Sequence, residues 1–472
     1  MKPRRRAMSD LYLVIPELYT AGFAVVYLLV GLIIRRWRWL LGILTLAGLV
    51  GLFSLSLAHL SVSGVAFGML LLSPFGRLLD LVFAVAAILS ILVYLDMKDL
   101  PYEGGFFILT GTLGAMLLAK CVDFVMLFLA LETLSFSLYA LVGLRGTRRD
   151  AEAGIKYFVL GAFSSSFLIM GVALLYALTR SFAFSAVASS FAAPGHNIGL
   201  LVAALSFIGI GLLFKASAVP FHFWTPDVFE GAAAPVASYI ATASKMAAFG
   251  LLLSIFGIAF QTNPDLWWGL LWYASVLTMF VGNTAALLER SVKRMLAYSA
   301  IAHAGYLFIP VMAGGPWSSS TIVLYALVYT LMTGGAFAVV AVIGDERSSL
   351  EFYKGLGKTR PLTAFLLTLF LLSLAGIPPL AGFIAKFYLF AGAFRSGLTS
   401  LAIIGLINGV ISAYYYLRVV VYMYMMEPEG EQEPPRLRAR FWTAVAVALA
   451  AAATVYLGFF PGPLLDFIKG LL

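Results

Sequence analysis

Long runs of apolar residues, separated by short polar connections, occupy most of the chain from residue 11 to residue 465. About fourteen of these runs have the length of a transmembrane helix, which needs about 20 mainly apolar residues. They centre near 11–34, 39–60, 75–95, 106–119, 124–143, 156–178, 199–220, 232–256, 266–288, 295–313, 320–343, 362–390, 397–425 and 441–465. The stretch 61–74 is apolar too, but its glycines, serines and final proline predict an ordered loop. The pattern therefore predicts an all-α integral membrane protein.

The composition supports this prediction and removes several other classes of protein. Of the 472 residues, 62% are hydrophobic and only 11% are charged, whereas soluble domains carry about 25% charged residues. The net charge of +9 is spread over short loops and does not indicate nucleic-acid binding. The single cysteine, Cys121, rules out an internal disulfide, cysteine-ligated iron–sulfur clusters and cysteine-rich zinc sites within this chain.

The basic residues of the loops predict the orientation. With the N-terminus outside, the cytoplasmic connections hold eighteen Lys and Arg residues and the outer side holds nine, among them Arg77 and Lys120. Because cytoplasmic loops carry the excess of basic residues, both termini are predicted outside. The basic cluster before Met8 opposes this orientation, and whether translation starts at Met1 or Met8 stays open. No small-residue cleavage site follows the cluster, so we expect an uncleaved first helix.

Four ionisable side chains stand inside apolar spans: Glu132, Lys215, Lys245 and Lys386. A charge at the middle of a membrane helix costs about 2.5–3.5 kcal/mol, so such residues usually have a function. A buried Lys–Glu pair could also be a structural tie between helices. Three lysines with one carboxylate leave positive charge uncompensated, and this imbalance favours proton handling over a structural pair.

Two of these lysines lie near prolines. Pro220 follows Lys215 by five residues, and Pro378 and Pro379 precede Lys386. Proline removes a backbone donor, and in lipid the freed backbone groups must bond to protein or water. A proline can simply kink a helix, but here the same combination occurs in both halves of the chain. We therefore predict two discontinuous helices, each with a site at its break.

Four runs around these residues resemble a known family. They are KASAVPFHFWTPDVFEG at 215–231, ATASK at 241–245, VKRMLAYSAIAHAGY at 292–306 and AGIPPLAGFIAKFY at 375–388. Together they closely resemble the antiporter-like membrane subunits of proton-pumping NADH:quinone oxidoreductases of the complex I type, and chain N among them. The resemblance covers nearly the whole chain. One departure is GAAAP at 231–235, where the family usually has GAPTP.

The resemblance implies fourteen helices that include two inverted five-helix repeats, at 106–260 and 261–425. A three-helix segment at 1–105 precedes the repeats, and a cytoplasmic linker with the last helix follows at 426–472. The seventh and twelfth helices are the discontinuous ones. By resemblance, a proton relay along the membrane midplane consists of Glu132 on the fifth helix, Lys215 on the seventh, Lys245 on the eighth and Lys386 on the twelfth.

Several other polar residues have two interpretations each. His303 could relay protons, since the unperturbed pKa of histidine suits proton transfer, or it could be a hydrogen-bonded packing residue. Lys293 could serve proton uptake or add to the positive charge of the inner loops. His222 and the two carboxylates after it could take up protons or cap the first break. The role of Arg418, in the thirteenth span, stays open.

The chain shows no motif for redox chemistry or nucleotide hydrolysis. GLGKT at 355–359 ends like a phosphate-binding loop, but Phe352 stands where such a loop has its first glycine. We expect no cofactor and no metal in this chain. The resemblance places NADH or a related donor, flavin, iron–sulfur clusters and quinone in partner subunits. It implies a small carboxylate-bearing subunit and a longer antiporter-like subunit as neighbours, in the inner (plasma) membrane.

The predicted function is that of a proton-translocating subunit in a redox-driven NADH (or related donor):quinone oxidoreductase. The alternative is a subunit of a multi-subunit cation/proton antiporter. A third hypothesis is a membrane scaffold that has kept the fold without the transport. The quinone, the electron donor, the number of protons moved and the mode of redox coupling stay open at the level of the sequence.

Overall fold

The computed structural model describes residues 9–34, 36–97, 101–191, 197–261, 264–427 and 441–472, and their backbone is mostly helical. The helices are α1 (Ile15–Ile34), α2 (Arg38–Ala58), α3 (Pro74–Leu95), α4 (Gly104–Lys120), α5 (Phe124–Gly143), α6 (Arg148–Thr179), α7 (Phe184–Phe191), α8 (Ile198–Lys215), α9 (Trp224–Gly231), α10 (Ala234–Ala259), α11 (Asp265–Leu288), α12 (Val292–Ala313), α13 (Gly315–Ile343), α14 (Leu356–Thr359), α15 (Pro361–Ala375), α16 (Ala381–Arg395), α17 (Thr399–Met425), α18 (Phe441–Phe459) and α19 (Gly462–Leu471). A short 3₁₀ helix at Leu350–Tyr353 precedes α14.

Each predicted span has a counterpart among these helices. The two discontinuous spans correspond to half-helix pairs, α8 with α9 and α15 with α16. By length and composition, twelve helices in the described ranges can cross a membrane, and α4 and α15 are shorter apolar helices. The prediction of an all-α integral membrane fold is therefore confirmed. The division of the chain at residues 105, 260 and 425 stays a prediction.

Two stretches show more detail than the sequence predicts. The loop 61–74 contains a small antiparallel hairpin, in which β1 (Gly64–Ala66) pairs with β2 (Leu70–Leu72). The last span, predicted to reach residue 465, is wrong at its end, because α18 stops at Phe459 and α19 follows as a separate helix. Pro461 lies between them and cannot donate the amide hydrogen that would continue α18.

Two of the three most buried helices carry candidate relay residues. In its most apolar segment α12 is 94% buried and α10 is 83% buried, whereas α1 and α6 are only 28% buried. Ile33 on α1 and Phe163 on α6 are exposed apolar side chains, as expected of helices that face lipid. Because α10 carries Lys245 and α12 carries His303, both residues lie in the centre of the bundle.

Candidate functional site

The first helix break lies directly after Lys215, the last residue of α8. Ser217 has a left-handed conformation with φ 60°, the Val219–Pro220 peptide bond is cis, and α9 begins at Trp224. The Trp224 indole donates a hydrogen bond to the Phe214 carbonyl at 3.1 Å. The broken helix leaves carbonyls at the end of α8 without a helical partner, and the indole supplies one of them with a hydrogen bond. Inside a membrane such groups must find partners in the protein or in bound water.

The second break follows Ala375, the last residue of α15. Gly376 has φ 86°, and the Pro378–Pro379 bond is cis. A Cβ on Gly376 would lie 2.9 Å from Lys386 Cδ, so glycine provides both the backbone conformation and the room for this lysine. The Lys386 ammonium donates to the Ala375 carbonyl at 3.0 Å. This places a positive charge at the carbonyl end of a half-helix, where the helix dipole favours it.

Among the described residues Glu132 and Lys215 make no direct ion pair, and each hydrogen-bonds to a different serine. Lys215 is buried, and its ammonium donates to Ser135 Oγ at 2.9 Å. Ser165 Oγ donates to the partly buried carboxylate of Glu132. A cavity lined by Ser135, Ser165, Tyr139 and Lys215, among others, offers about 10 Å³ to the centre of a water molecule. This is close to the room that one water needs.

Lys245 lies in the middle of α10, directly after a π-helical turn at Ile240–Ser244. Such turns are rare and are frequent at functional sites. The Lys245 ammonium is buried and donates to the Ala300 carbonyl of α12 at 2.6 Å. Ala300 precedes His303 by one helical turn, so this contact brings Lys245 beside the part of α12 that carries the histidine.

His303 lies between Lys245 and Lys386. Its Nδ1 is 2.6 Å from the hydroxyl of Tyr325 on α13. The Lys386 ammonium lies 5.5 Å from the centre of the Tyr306 ring, which is the geometry of a cation–π contact. The Tyr306 and His303 rings are 5.7 Å apart, centre to centre. Two of the three lysines and the histidine therefore belong to one contiguous set of polar and aromatic side chains.

Two tyrosines connect the Lys215 site with Lys245. Tyr139 lines the cavity beside Lys215, and its ring packs edge-on against Tyr157, with centres 4.7 Å apart. The buried Tyr157 hydroxyl lies near Ser244, the residue before Lys245, although it makes no well-aligned hydrogen bond within the described residues. The sequence analysis missed both tyrosines, because nothing in the chain order shows that they meet.

Within the described residues, neither Lys293 nor His222 shows a hydrogen bond to Lys215, Lys245 or Lys386. The Lys293 ammonium donates to the Ala232 carbonyl at 2.6 Å and lies 3.5 Å from Asp345 Oδ1. It thereby binds the end of α9, whose C-cap is Ala232. His222 is buried within the first break and packs on Phe223, with ring centres 4.5 Å apart. A part for either residue in proton uptake stays a prediction.

Arg418, on α17, holds the end of α11. Its guanidinium donates to the Leu287 carbonyl at 2.6 Å and also to the Glu289 carbonyl. The last carbonyls of a helix lack partners within the helix, and a positive charge there is favourable. The structure thus shows Arg418 as a helix cap.

A charged cleft opens beside α9. Arg294 lies 2.8 Å from Asp227 and 3.2 Å from Glu230. Lys156 lies 3.1 Å from Asp227, and Arg149 lies 2.8 Å from Glu230. The cleft between these side chains has a volume of about 280 Å³. Both carboxylates after the first break are therefore paired with basic side chains at the rim of an open cleft.

A second buried group of charges was missed by the sequence analysis, which placed Arg77 and Lys120 in outer loops. That placement is wrong: Arg77 is 0% exposed on α3 and Lys120 is 2% exposed at the end of α4. Arg77 lies 2.9 Å from Glu17 and 3.3 Å from Asp80, and Lys120 lies 2.6 Å from Asp80 and pairs with Glu17. By the same criterion Lys293, 1% exposed, leaves the eighteen inner residues, so seven outer basic residues stand against seventeen inner ones, and the orientation stays a prediction.

A family model for "NADH:quinone oxidoreductase/Mrp antiporter, TM" matches residues 121–412, which is more than half of the chain. The chain belongs to this family. NADH-quinone oxidoreductase subunit N of Trichlorobacter lovleyi is 40% identical to it over 426 residues, or 88% of this chain and 87% of that protein. The resemblance read from the sequence is thus confirmed.

Two solved structures have the same fold as this chain. A chain of respiratory complex I from Thermus thermophilus with bound aureothin is 34% identical, with a TM-score of 0.82 over 96% of this chain and 99% of that chain. A chain of the Mrp complex from Dietzia sp. DQ12-45-1b reaches a TM-score of 0.83 over 98% of this chain and 96% of that chain, at 19% identity. The latter likeness is one of fold alone.

Within the described ranges, no group of three or more His, Cys, Asp or Glu side chains is placed to hold a metal.

Proposed function

We propose that this chain is a proton-translocating membrane subunit of a redox-driven NADH (or related donor):quinone oxidoreductase. The proposed relay consists of Glu132, Lys215, Lys245, His303 and Lys386. One observation carries the proposal. The ammonium groups of Lys215, Lys245 and Lys386 each donate to a neutral oxygen, either a serine hydroxyl or a backbone carbonyl. The likeness to subunit N proteins supports the class of enzyme.

Neutral partners matter because they do not fix the proton on the lysine. A carboxylate beside a buried lysine favours the charged form, whereas burial by itself favours the neutral amine. A hydroxyl or carbonyl oxygen accepts a hydrogen bond from either form of the side chain. Each lysine can therefore hold or release a proton as the charges around it change.

Glu132 can supply much of the driving energy. At a separation of about 7 Å and an effective dielectric constant near 20, a carboxylate stabilises an ammonium by about 2.4 kcal/mol. Moving one proton against a potential of about 170 mV costs about 4 kcal/mol. Because these energies are comparable, drawing the charge of Glu132 away from Lys215 favours release of the lysine proton. In the proposal Lys245 receives that proton, and Lys386 delivers it to the outer side.

The energy itself comes from partners in this proposal. The residues of this chain move protons, whereas NADH or a related donor, flavin, iron–sulfur clusters and quinone belong to other subunits. A small carboxylate-bearing subunit and a longer antiporter-like subunit are the proposed neighbours in the plasma membrane. We assign proton uptake to the charged cleft around Asp227 and Glu230, because it opens next to the break that follows Lys215. The predicted orientation, with both termini on the outer side of the membrane, stays a prediction.

The test is proton pumping by the assembled complex in inverted membrane vesicles. With Lys215→Ala, we expect pumping per electron transferred to fall sharply while the complex still assembles, because the relay loses one of its proton-carrying groups. Lys358→Ala is the matched control, since Lys358 is exposed and pairs with Glu427 at 2.7 Å. Wild-type pumping by Lys215→Ala would instead support the scaffold hypothesis.

The second candidate is a subunit of a multi-subunit cation/proton antiporter, which the fold shared with the Mrp complex favours. The same vesicles distinguish the two functions. A redox-driven pump acidifies the vesicle lumen only while a quinone is being reduced. An antiporter exchanges protons for sodium or potassium ions without any electron donor.

A further inference from the structure

A large cavity lies far from the relay, where the ends of four helices meet. α1 ends at Ile34, α2 begins at Arg38, α3 ends at Leu95 and α4 begins at Gly104. The cavity among these ends has a volume of about 500 Å³, within the range of about 300–1,000 Å³ that is usual for small-molecule sites. Its position at the ends of transmembrane helices puts it at the level of lipid headgroups.

The lining has the chemistry of a membrane interface. Arg36 and Arg38 line the cavity and are both exposed. Trp39 and three tyrosines form much of the rest of the wall. None of the described lining residues is a carboxylate, although Glu103 lies near Tyr27, one of these tyrosines. Two guanidinium groups within an aromatic wall form a site for an anionic oxygen ligand, because guanidinium binds phosphate with paired hydrogen bonds.

Part of the lining of the cavity is apolar. Ile91, Leu95 and Met97 line it. The Tyr27 hydroxyl donates to the Tyr102 carbonyl at 2.7 Å, which fixes two of the aromatic walls. A ligand that fits must therefore combine a negative group at the arginines with apolar atoms beyond it.

An apolar surface continues from the rim of the cavity towards the bilayer. Leu32 and Ile33 of α1 are 65% and 82% exposed, next to the cavity in the chain. Ile43, on α2, is also an exposed apolar residue. These side chains face the space that hydrocarbon chains occupy, so a ligand bound at the arginines can lay acyl chains on them.

We propose that this cavity binds an anionic phospholipid, with its phosphate against Arg36 and Arg38 and its acyl chains along the exposed faces of α1 and α2. Basic pockets between transmembrane helices bind the headgroups of anionic lipids. The proposal is independent of the proton relay, since no relay residue lines the cavity. The bound lipid would join the first four helices to the bilayer and fix their position.

The test counts lipids bound to the purified, delipidated complex by native mass spectrometry. The complex is titrated with phosphatidylglycerol or with phosphatidylcholine, each with and without inorganic phosphate. We expect Arg36→Gln with Arg38→Gln to bind one phosphatidylglycerol fewer per copy, through a loss of affinity of about tenfold or more at that site. Arg148→Gln, an exposed arginine at the start of α6, is the control and should bind as many as the wild type.

A second variant keeps the arginines and fills the cavity. Met97→Trp should also lose one phosphatidylglycerol, and it decides the matter if the double arginine variant does not assemble. Equal phosphatidylglycerol binding by wild type and both variants would overturn the proposal. So would equal binding of phosphatidylcholine at the site, or complete displacement by inorganic phosphate alone, which would identify a phosphate site instead.

Discussion

Lys120 and Lys245 are equally buried, at 2% exposure each, but they have different partners. Lys120 lies 2.6 Å from the Asp80 carboxylate and also pairs with Glu17. Lys245 donates to the Ala300 carbonyl, a neutral oxygen. Separating a buried ion pair leaves uncompensated charge. Within the described residues Lys120 has two carboxylates in ion-pair contact and Lys245 has none. Burial alone therefore does not identify a relay residue, but the chemistry of its partner does.

Lys120 and the three proposed relay lysines also lie in different parts of the chain. The four members of the buried ion cluster, from Glu17 to Lys120, precede residue 121, where the match to the antiporter family begins. The three lysines with neutral partners lie within the matched range 121–412. We infer that the cluster ties α1, α3 and α4 together, and that proton transfer belongs to the helices after them.

Removing the ammonium of the ion cluster should have the largest effect on stability. Lys120→Met leaves Glu17 and Asp80 with one basic partner, and we expect a loss of about 3–5 kcal/mol of stability. Thermal unfolding of the purified complex measures this loss. Removing one carboxylate as well, with Asp80→Asn in the same chain, should restore most of the stability, because the remaining Arg77 and Glu17 still pair with each other. A lone Lys120→Met variant as stable as the wild type would mean that the cluster does not tie the helices.

The opposite pattern is expected at Lys245. Lys245→Ala should lower proton pumping by about tenfold or more, because a positioned proton-transfer group typically contributes at least that much to a rate. Its melting temperature should stay near that of the wild type, because no buried carboxylate loses its partner. Pumping in vesicles and thermal unfolding on the same preparation check both parts. A fall in stability as large as that of Lys120→Met would remove the distinction between the two lysines.

Glu132→Gln should have an intermediate effect on pumping. The change keeps the shape that accepts the Ser165 hydrogen bond but removes the negative charge that favours the charged form of Lys215. We expect several-fold slower pumping with unchanged assembly. Glu132→Asp, which keeps the charge, should pump faster than Glu132→Gln. If the two variants pump equally, the charge of Glu132 does not drive the relay.

The smallest effect is expected at Tyr157, where one hydroxyl lies between the Lys215 site and Lys245. Tyr157→Phe keeps the stacking on Trp224, with ring centres 4.4 Å apart, and removes only the hydroxyl. We expect pumping to fall by about threefold at most, because the hydroxyl lies near Ser244 without a well-aligned hydrogen bond, and a full hydrogen bond is worth about 0.5–1.5 kcal/mol. Tyr273→Phe, at an exposed tyrosine on α11, is the matched control and should change nothing.

The sequence predicts the spans and both breaks because these features are local. A run of about 20 apolar residues is visible in the chain order, and so are Pro220 and the pair Pro378–Pro379 beside their lysines. The resemblance then supplies the proposed roles of Glu132 and the three lysines.

The sequence does not predict the partners of these residues, because partners depend on which helices pack together. Ser135 binds Lys215 across 80 positions of the chain, and Tyr325 approaches His303 from another helix. Lys120 was misplaced for a related reason. It stands at the very end of an apolar run, where a hydropathy pattern cannot distinguish a loop residue from a buried helix terminus.

The most direct test replaces Lys245 by arginine. Arginine also carries a positive charge on a long side chain, but it does not give up its proton in proteins. If Lys245 works by releasing a proton, Lys245→Arg assembles but pumps at less than about a tenth of the wild-type rate. Lys120→Arg, at a lysine that stays charged, keeps both assembly and pumping. Wild-type pumping by Lys245→Arg would contradict the account, since a fixed positive charge would then suffice at the centre of the relay.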